Sequence, residues 1–183
     1  MRRSFLALLA TGLIASAATA QPSTVILVRH AEKASQTDPD PVLSEAGERR
    51  AKDLAAALAD AGVSIVITTQ LQRTKLTAAP LVDAIKAKTI VVANTGSLAT
   101  HIADILAAVM ARPNGEVVLV VGHSSTIAAI VAALGGPKMP NLCDSQYSKM
   151  FVLEMGGANP PRLIRANYGA ADPVDATCQK RMR

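Results

Sequence analysis

Four residues of this chain have side chains suited to one kind of chemistry. Arg29 and His30 end the apolar run Val25–Val28, Arg73 follows the run Val63–Thr68, and His123 comes directly after Glu116–Gly122. Two guanidinium groups and two imidazoles suit a tetrahedral dianion, because the planar guanidinium fork matches a pair of phosphate oxygens. An imidazole also brings a nucleophile. Its unprotonated nitrogen attacks phosphorus in line to give a phosphoenzyme that water later cleaves, while the arginines and the second histidine stabilise charge on the equatorial oxygens. His30 would have to be neutral, with its other ring nitrogen held by an acceptor.

This chemistry needs the four residues at one place, and the flanking sequence shows how they can meet. The runs at 25–28, 63–68 and 116–122 are short, apolar and bounded by polar or turn residues, which reads as strands buried on both faces. Helices are expected between them. Ser44 is placed as an N-cap, Ala51, Leu54, Ala55 and Leu58 recur at helical spacing, and Gly62 is placed to end that helix. Its charged residues, with Glu45–Arg49 and Glu48–Lys52 at i,i+4, read as a solvated face. A second helix runs to about Lys86 with Arg73 near its first turn, where free N–H groups favour anions. Further helices are expected around Leu98–Val109 and Ile127–Leu134, and shorter strands at 90–93, 150–155 and 162–166. The loop 34–42 carries Asp38-Pro39-Asp40-Pro41. Strands alternating with helices predict an α/β chain: a single three-layer α/β/α sandwich with a mostly parallel sheet. Ligands of such sheets bind beyond the carboxyl ends of the strands, which is where all four residues fall.

Composition narrows the partners. The 183 residues open with Arg2-Arg3, an apolar run from Phe5 to Ala18 and Ala18-Thr19-Ala20, the parts of a secretory signal peptide cleaved after Ala20. The apolar run is too short to span a bilayer. This predicts a leader at 1–20, a single domain at 21–183, no stable membrane span and a periplasmic or secreted product. Loss of Arg2 and Arg3 lowers the formal charge from +5 to +3, which suits an anionic small ligand and is too weak and scattered for nucleic acid. Cys143 and Cys178 are the candidate disulfide in an oxidising compartment. Three imidazoles can in principle hold zinc, but His101 falls on a helix with Asp104 at i+3 and reads as a surface His–Asp pair, so neither a metal nor another cofactor is expected.

The segments RHAEK, TQLQRTKLTA and VVGHSS resemble the three signature segments of the histidine phosphatase superfamily, the phosphoglycerate-mutase-like fold. The resemblance spans Val25 to Leu134. It implies a histidine-phosphatase-like domain in which His30 becomes phosphorylated and Arg29, Arg73 and His123 bind the phosphoryl group, with Ser124 a further candidate for phosphate binding or for capping the next helix. RHAEK behind a leader is similar to small exported members, including the lipopolysaccharide core heptose phosphate phosphatases. Two features depart from the pattern. Ala31 stands where the family usually has glycine, and the usual acid between the second and third segments is missing, Asp83 being the only carboxylate between Leu81 and Leu98. Glu32 and Asp144 are the candidate proton donors. The compact phosphohistidine phosphatases of the superfamily work without a clear donor, because their leaving group is a good one.

The expected activity is therefore that of a metal-independent phosphomonoesterase acting on a phosphorylated small molecule or a surface glycolipid sugar. The short connections predict an open site. The alternatives are a pseudoenzyme that binds a phospho-ligand without turnover, and a phosphatase selective for phosphohistidine or a phosphosugar.

Overall fold

A computed structural model describes residues 21–156 and 160–181, with side chains as far as Cys178. The leader expected at 1–20 and the end of the basic tail lie outside the described residues. Strand β1 (Thr24–Arg29) leads to helix α1 (Glu45–Leu58), β2 (Val63–Thr68) to α2 (Gln72–Ile85), β3 (Lys88–Val91) to α3 (Leu98–Met110) and β4 (Val117–Gly122) to α4 (Ile127–Ala133). Strands β5 (Lys149–Glu154) and β6 (Arg162–Asn167) and helix α5 (Ala176–Arg181) complete the chain. The six strands form one sheet in the order β3-β2-β4-β1-β5-β6. Strands β1 to β4 pair in parallel, while β5 and β6 are antiparallel additions beside β1.

The central strands are apolar at nearly every interior position because both of their faces are covered. Val25, Leu27, Val118 and Val120 pack with Ile105 and Val109 of α3 and with Ile127 and Ile130 of α4. The alternate residues Ile26, Val28, Leu119 and Val121 pack with Leu54 and Leu58 of α1 and with Ala78 and Leu81 of α2. A two-residue period with both sets apolar gives three layers.

Where the expectations miss, exposure or backbone geometry explains it. β3 starts at Lys88, two residues before the expected run, because this edge strand is largely exposed and carries no burial pattern. α1 stops at Leu58, and Gly62, at φ +70°, shapes the turn into β2 instead of ending the helix. Ser44 does cap α1, accepting from the Gly47 N–H at 3.2 Å.

Gly47 is where α1 meets the segment after β1. A Cβ there would overlap the Glu32 carbonyl oxygen, and backbone cannot yield as a flexible side chain does. Gly47→Ala is expected to destabilise the domain by roughly 1–3 kcal/mol, the usual range for overpacking, despite alanine's better helix propensity. A denaturant midpoint no lower than that of wild type would disprove this contact.

Candidate active site

β1 and β4 lie side by side in register, with Arg29 opposite Gly122. The residues that follow them, His30 and His123, therefore leave the sheet as neighbours, with ring centroids 5.4 Å apart and edge-on. The His30 N–H donates to Gly122 O at 2.9 Å, carrying the ladder one residue further. Arg73 comes from the first turn of α2. Thr74 is buried and ties this turn to the strand end, accepting from Thr69 N–H at 3.2 Å and donating to Leu71 O at 2.9 Å. The Asp-Pro loop contributes as well: Asp40 accepts from the Gln72 N–H at 2.7 Å, and Arg73 Nη1 donates to Pro39 O at 3.3 Å.

His30 has the geometry of a nucleophile. Its Nδ1 lies 2.8 Å from Ala31 O, and since a carbonyl can only accept, the proton belongs on Nδ1 and the lone pair on Nε2. The Ala31 N–H is fixed in turn by Thr77 Oγ1 at 2.8 Å. Burial, together with the charges of Arg29, His123 and Arg73, lowers the His30 pKa to about 3 despite its hydrogen bond to Ala31. Burial and then Arg73, His101 and Arg29 lower that of His123 to about 4. Both imidazoles are neutral at physiological pH.

Arg29 is clamped. Its Nη1 donates to the carbonyls of Cys143, Asp144 and Gln146 at 2.9, 3.0 and 3.2 Å. Nη2 donates to the Tyr147 hydroxyl at 3.3 Å, and the guanidinium carbon lies 4.0 Å from the Tyr147 ring centroid. Burial lowers the Arg29 pKa against the nearby Tyr147 and Asp144. The clamping loop is itself held from the C-terminal side. Cys143 and Cys178 form a disulfide, Ser145 donates to Asp175 at 3.0 Å, and Asp172 accepts from the Tyr147 and Ser148 N–H groups at 2.8 Å each.

Arg29 Nε, Arg73 Nε and His123 Nε2 are buried and have no hydrogen-bond partner within the protein. Buried polar atoms are nearly always paired, so these three groups, close enough for Arg73 and Arg29 to act on His123 electrostatically, suit an anion that supplies several acceptor oxygens. His30 and His123 are only 4 % and 6 % exposed, so little of either ring meets solvent.

Four sequence expectations change here. Glu32 is already engaged: its carboxylate accepts from Arg50 Nε at 2.9 and 3.0 Å and from Arg50 Nη2 at 2.8 Å. Arg50 is accordingly not on the solvated face of α1 but 4 % exposed. The N-cap of α4 is Thr126, so Ser124 does not cap that helix. His101 is 1 % exposed, with Nδ1 3.1 Å from Ala93 O, and is not a surface partner of Asp104. Sequence reasoning passed over Thr77 and Tyr147, although Thr77 lies four residues after Arg73 and Tyr147 is one of three aromatics beyond residue 20.

The depressed histidines make stability depend on pH. An unfolded histidine titrates near 6.5, whereas these two protonate at about 3 and about 4 in the fold. Below pH 6.5 the unfolded chain binds more protons, so stability falls as pH drops from about 6.5 toward 4. The urea midpoint should be lower at pH 5 than at pH 7, and the gap should narrow in the His30→Asn, His123→Asn double variant. An unchanged gap would place its origin elsewhere.

Comparison with known proteins gives the same fold. Residues 25–96 match the family model described as the histidine phosphatase superfamily, branch 1. No curated protein matches the chain. Among solved structures, the putative phosphohistidine phosphatase SixA from Nakamurella multipartitia aligns with a TM-score of 0.60 and 25 % identity over 84 % of this chain and 99 % of its own. The putative phosphohistidine phosphatase SixA from Agrobacterium tumefaciens gives 0.57 and 21 % over 83 % and 99 %. A mycobacterial glucosyl-3-phosphoglycerate phosphatase gives 0.59 and 18 % over 81 % and 99 %. The six-stranded sheet flanked by helices is thus the histidine-phosphatase-like α/β fold.

Proposed function

We propose that this chain, whose residues 25–96 match the histidine phosphatase superfamily, is an exported, metal-independent phosphomonoesterase that works through a phosphohistidine on His30. The observation that carries the reading is the His30 ring itself: Nδ1 is tied to Ala31 O, and Nε2 is left with its lone pair in a site shared by Arg29, Arg73 and His123. Nε2 attacks phosphorus, the P–O bond breaks, and the electron pair stays on the leaving oxygen. Arg29, Arg73 and His123 hold the phosphoryl oxygens throughout. Water then attacks phosphorus, the P–N bond breaks, and its electron pair returns to Nε2.

The leaving oxygen needs a proton, which we assign to Asp144. Its side chain is 98 % exposed and its Oδ1 lies 3.8 Å from Arg29 Nη2, at the rim of the site. It takes a proton back from the attacking water in the second step. Glu32 then acts as a positioning residue through Arg50. The substrate is a phosphorylated small molecule or the phosphorylated sugar of a surface glycolipid, with its phosphate reaching the buried rings of His30 and His123.

A second reading, hydrolysis of phosphohistidine, is favoured by the engagement of Glu32 with Arg50, because a P–N bond demands less of a donor. The test is phosphate release from an aryl phosphate by the full exported chain, with and without chelator. Chelator-insensitive turnover that His30→Ala abolishes is expected; turnover that a chelator stops, or that survives His30→Ala, would overturn the mechanism. Release from a phosphoramidate alone would select the second reading.

A further inference from the structure

The N–H hydrogens of a guanidinium point in fixed directions within one plane, so the contacts of Arg29 show which edge is left for an anion. Nη1 is spent on the carbonyls of Cys143, Asp144 and Gln146. Nη2 donates to the Tyr147 hydroxyl at 3.3 Å, while Asp144 Oδ1, at 3.8 Å from Nη2, is too far for a hydrogen bond. Nε has no partner among the described residues. Nε and Nη2 share one edge of the plane, a fork that matches two phosphate oxygens. An anion on this edge sits beside the same Nη2 that holds the phenol.

The phenol has a hydrogen to give. A guanidinium offers no acceptor, so the Tyr147 oxygen can only accept in its bond to Arg29, and its own hydrogen is left over. Among the described residues this hydroxyl makes no other hydrogen bond. A bond accepted from a cation also polarises the phenol and makes it a stronger donor. The ring is held in place from several sides. The Arg29 guanidinium carbon lies 4.0 Å from its centroid, and the His30 ring lies edge-on with centroids 6.3 Å apart. The backbone is tied as well: the Tyr147 and Ser148 N–H groups donate to Asp172 Oδ1 at 2.8 Å each, and Ser148 Oγ donates to Asp172 Oδ2 at 2.8 Å. Tyr147 therefore touches Arg29, which grips the phosphoryl group, and flanks His30, which attacks it.

We propose that Tyr147 is a further catalytic residue, whose hydroxyl, held by Arg29, donates to an equatorial oxygen of the phosphoryl group as it passes to and from His30. This role rests on the phosphohistidine reading and adds a neutral donor to it. The hydrogen stays on the phenol oxygen throughout, so the bonds made and broken at phosphorus are unchanged. The phenol supplies a dipole, fixed before the substrate arrives, at oxygens on which negative charge shifts during transfer. Such a group speeds the chemical step more than it tightens ground-state binding.

The test compares the full exported chain with Tyr147→Phe, which keeps the ring beside Arg29 and His30 and removes only the oxygen. Turnover of an aryl phosphate is measured together with inhibition by inorganic phosphate and by orthovanadate, which adopts the five-coordinate geometry of the transition state. In the variant kcat is expected to fall about 100-fold, the lower end of the range for one lost oxyanion donor. Phosphate affinity should change by no more than about threefold, since both arginines still hold the ground-state anion, and vanadate affinity should fall with kcat. The two inhibition constants do not depend on how much of the variant is folded, so the contrast between them stays readable if stability drops. A kcat within about threefold of wild type, or vanadate affinity that follows phosphate affinity instead of kcat, would overturn the role. Phosphate affinity falling as far as kcat would overturn it too, by showing that the hydroxyl only supports Arg29. Each of these results leaves wild-type turnover intact, whereas a wild type silent toward the aryl ester would remove the phosphatase reading and this role with it.

Discussion

His30→Ala is expected to lose at least ~10³-fold in phosphate release, since removing a nucleophile leaves only the binding and electrostatic parts of catalysis. The loss should fall on kcat, while inorganic phosphate still binds through Arg29 and Arg73. Free imidazole should restore part of the rate to this variant, because the deleted ring leaves room beside the arginines. The wild-type pH profile follows from the same environment. Protonation of the nucleophile is pushed down to about 3, so His30 contributes no acid-side loss of rate near 6.5. Any acid limb should instead follow the second ionisation of the ester, near 6 for ordinary phosphomonoesters, and move when the ester is changed. An acid limb near 6.5 that stays fixed across esters, or a His30→Ala variant within tenfold of wild type, would show that this imidazole is not the nucleophile.

Arg50→Ala is expected to be the most damaging substitution to stability outside the core, at about 3–5 kcal/mol, the usual cost of breaking a buried ion pair by removing one partner. Arg50 joins three parts of the chain. Its Nε and Nη2 hold Glu32, and its Nη1 donates to Tyr168 O at 3.2 Å and Ala170 O at 3.0 Å. Lysine cannot reproduce this fork, so Arg50→Lys should recover little. The Glu32 carboxylate is 22 % exposed and partly solvated, so Glu32→Gln should cost less. A double-mutant cycle would measure the coupling between the two. The kinetics of Glu32→Gln separate its two candidate roles. A positioning residue lowers the rates of esters with good and poor leaving groups by the same factor, whereas a proton donor slows the poor ones selectively. Selective loss would return Glu32 to the chemistry.

Burial decided what could be read from the sequence. β1, β2 and β4 are covered on both sides, so their interior residues are almost all apolar and each run stands out. Their ends delivered Arg29, His30 and His123 to one edge, and the first turn of α2 delivered Arg73. β3 was misplaced by two residues because an exposed edge strand has no such constraint. Arg50 was hidden by a sound general rule, that charges on an amphipathic helix face water, which fails when a carboxylate from another segment reaches the helix. The clamp on Arg29 left no trace in the side-chain pattern, because three of its acceptors are backbone carbonyls. His101 was misread for a related reason: its partner, the Ala93 carbonyl, is set by where the chain turns and not by the type of any neighbouring residue.

The carbonyls that clamp Arg29 belong to the loop that Cys143 anchors to Cys178, so thiol chemistry and anion affinity at this site are reciprocal quantities. Whatever factor separates the phosphate affinities of the bridged and reduced chains must also appear, undiminished, in the effect of phosphate on the equilibrium of the bridge. For a two-electron couple, each tenfold of that factor is about 30 mV of reduction potential. Where the bridged chain is the tighter binder, phosphate protects the bridge to the same degree, and an oxidising milieu sharpens the chain's hold on the anion.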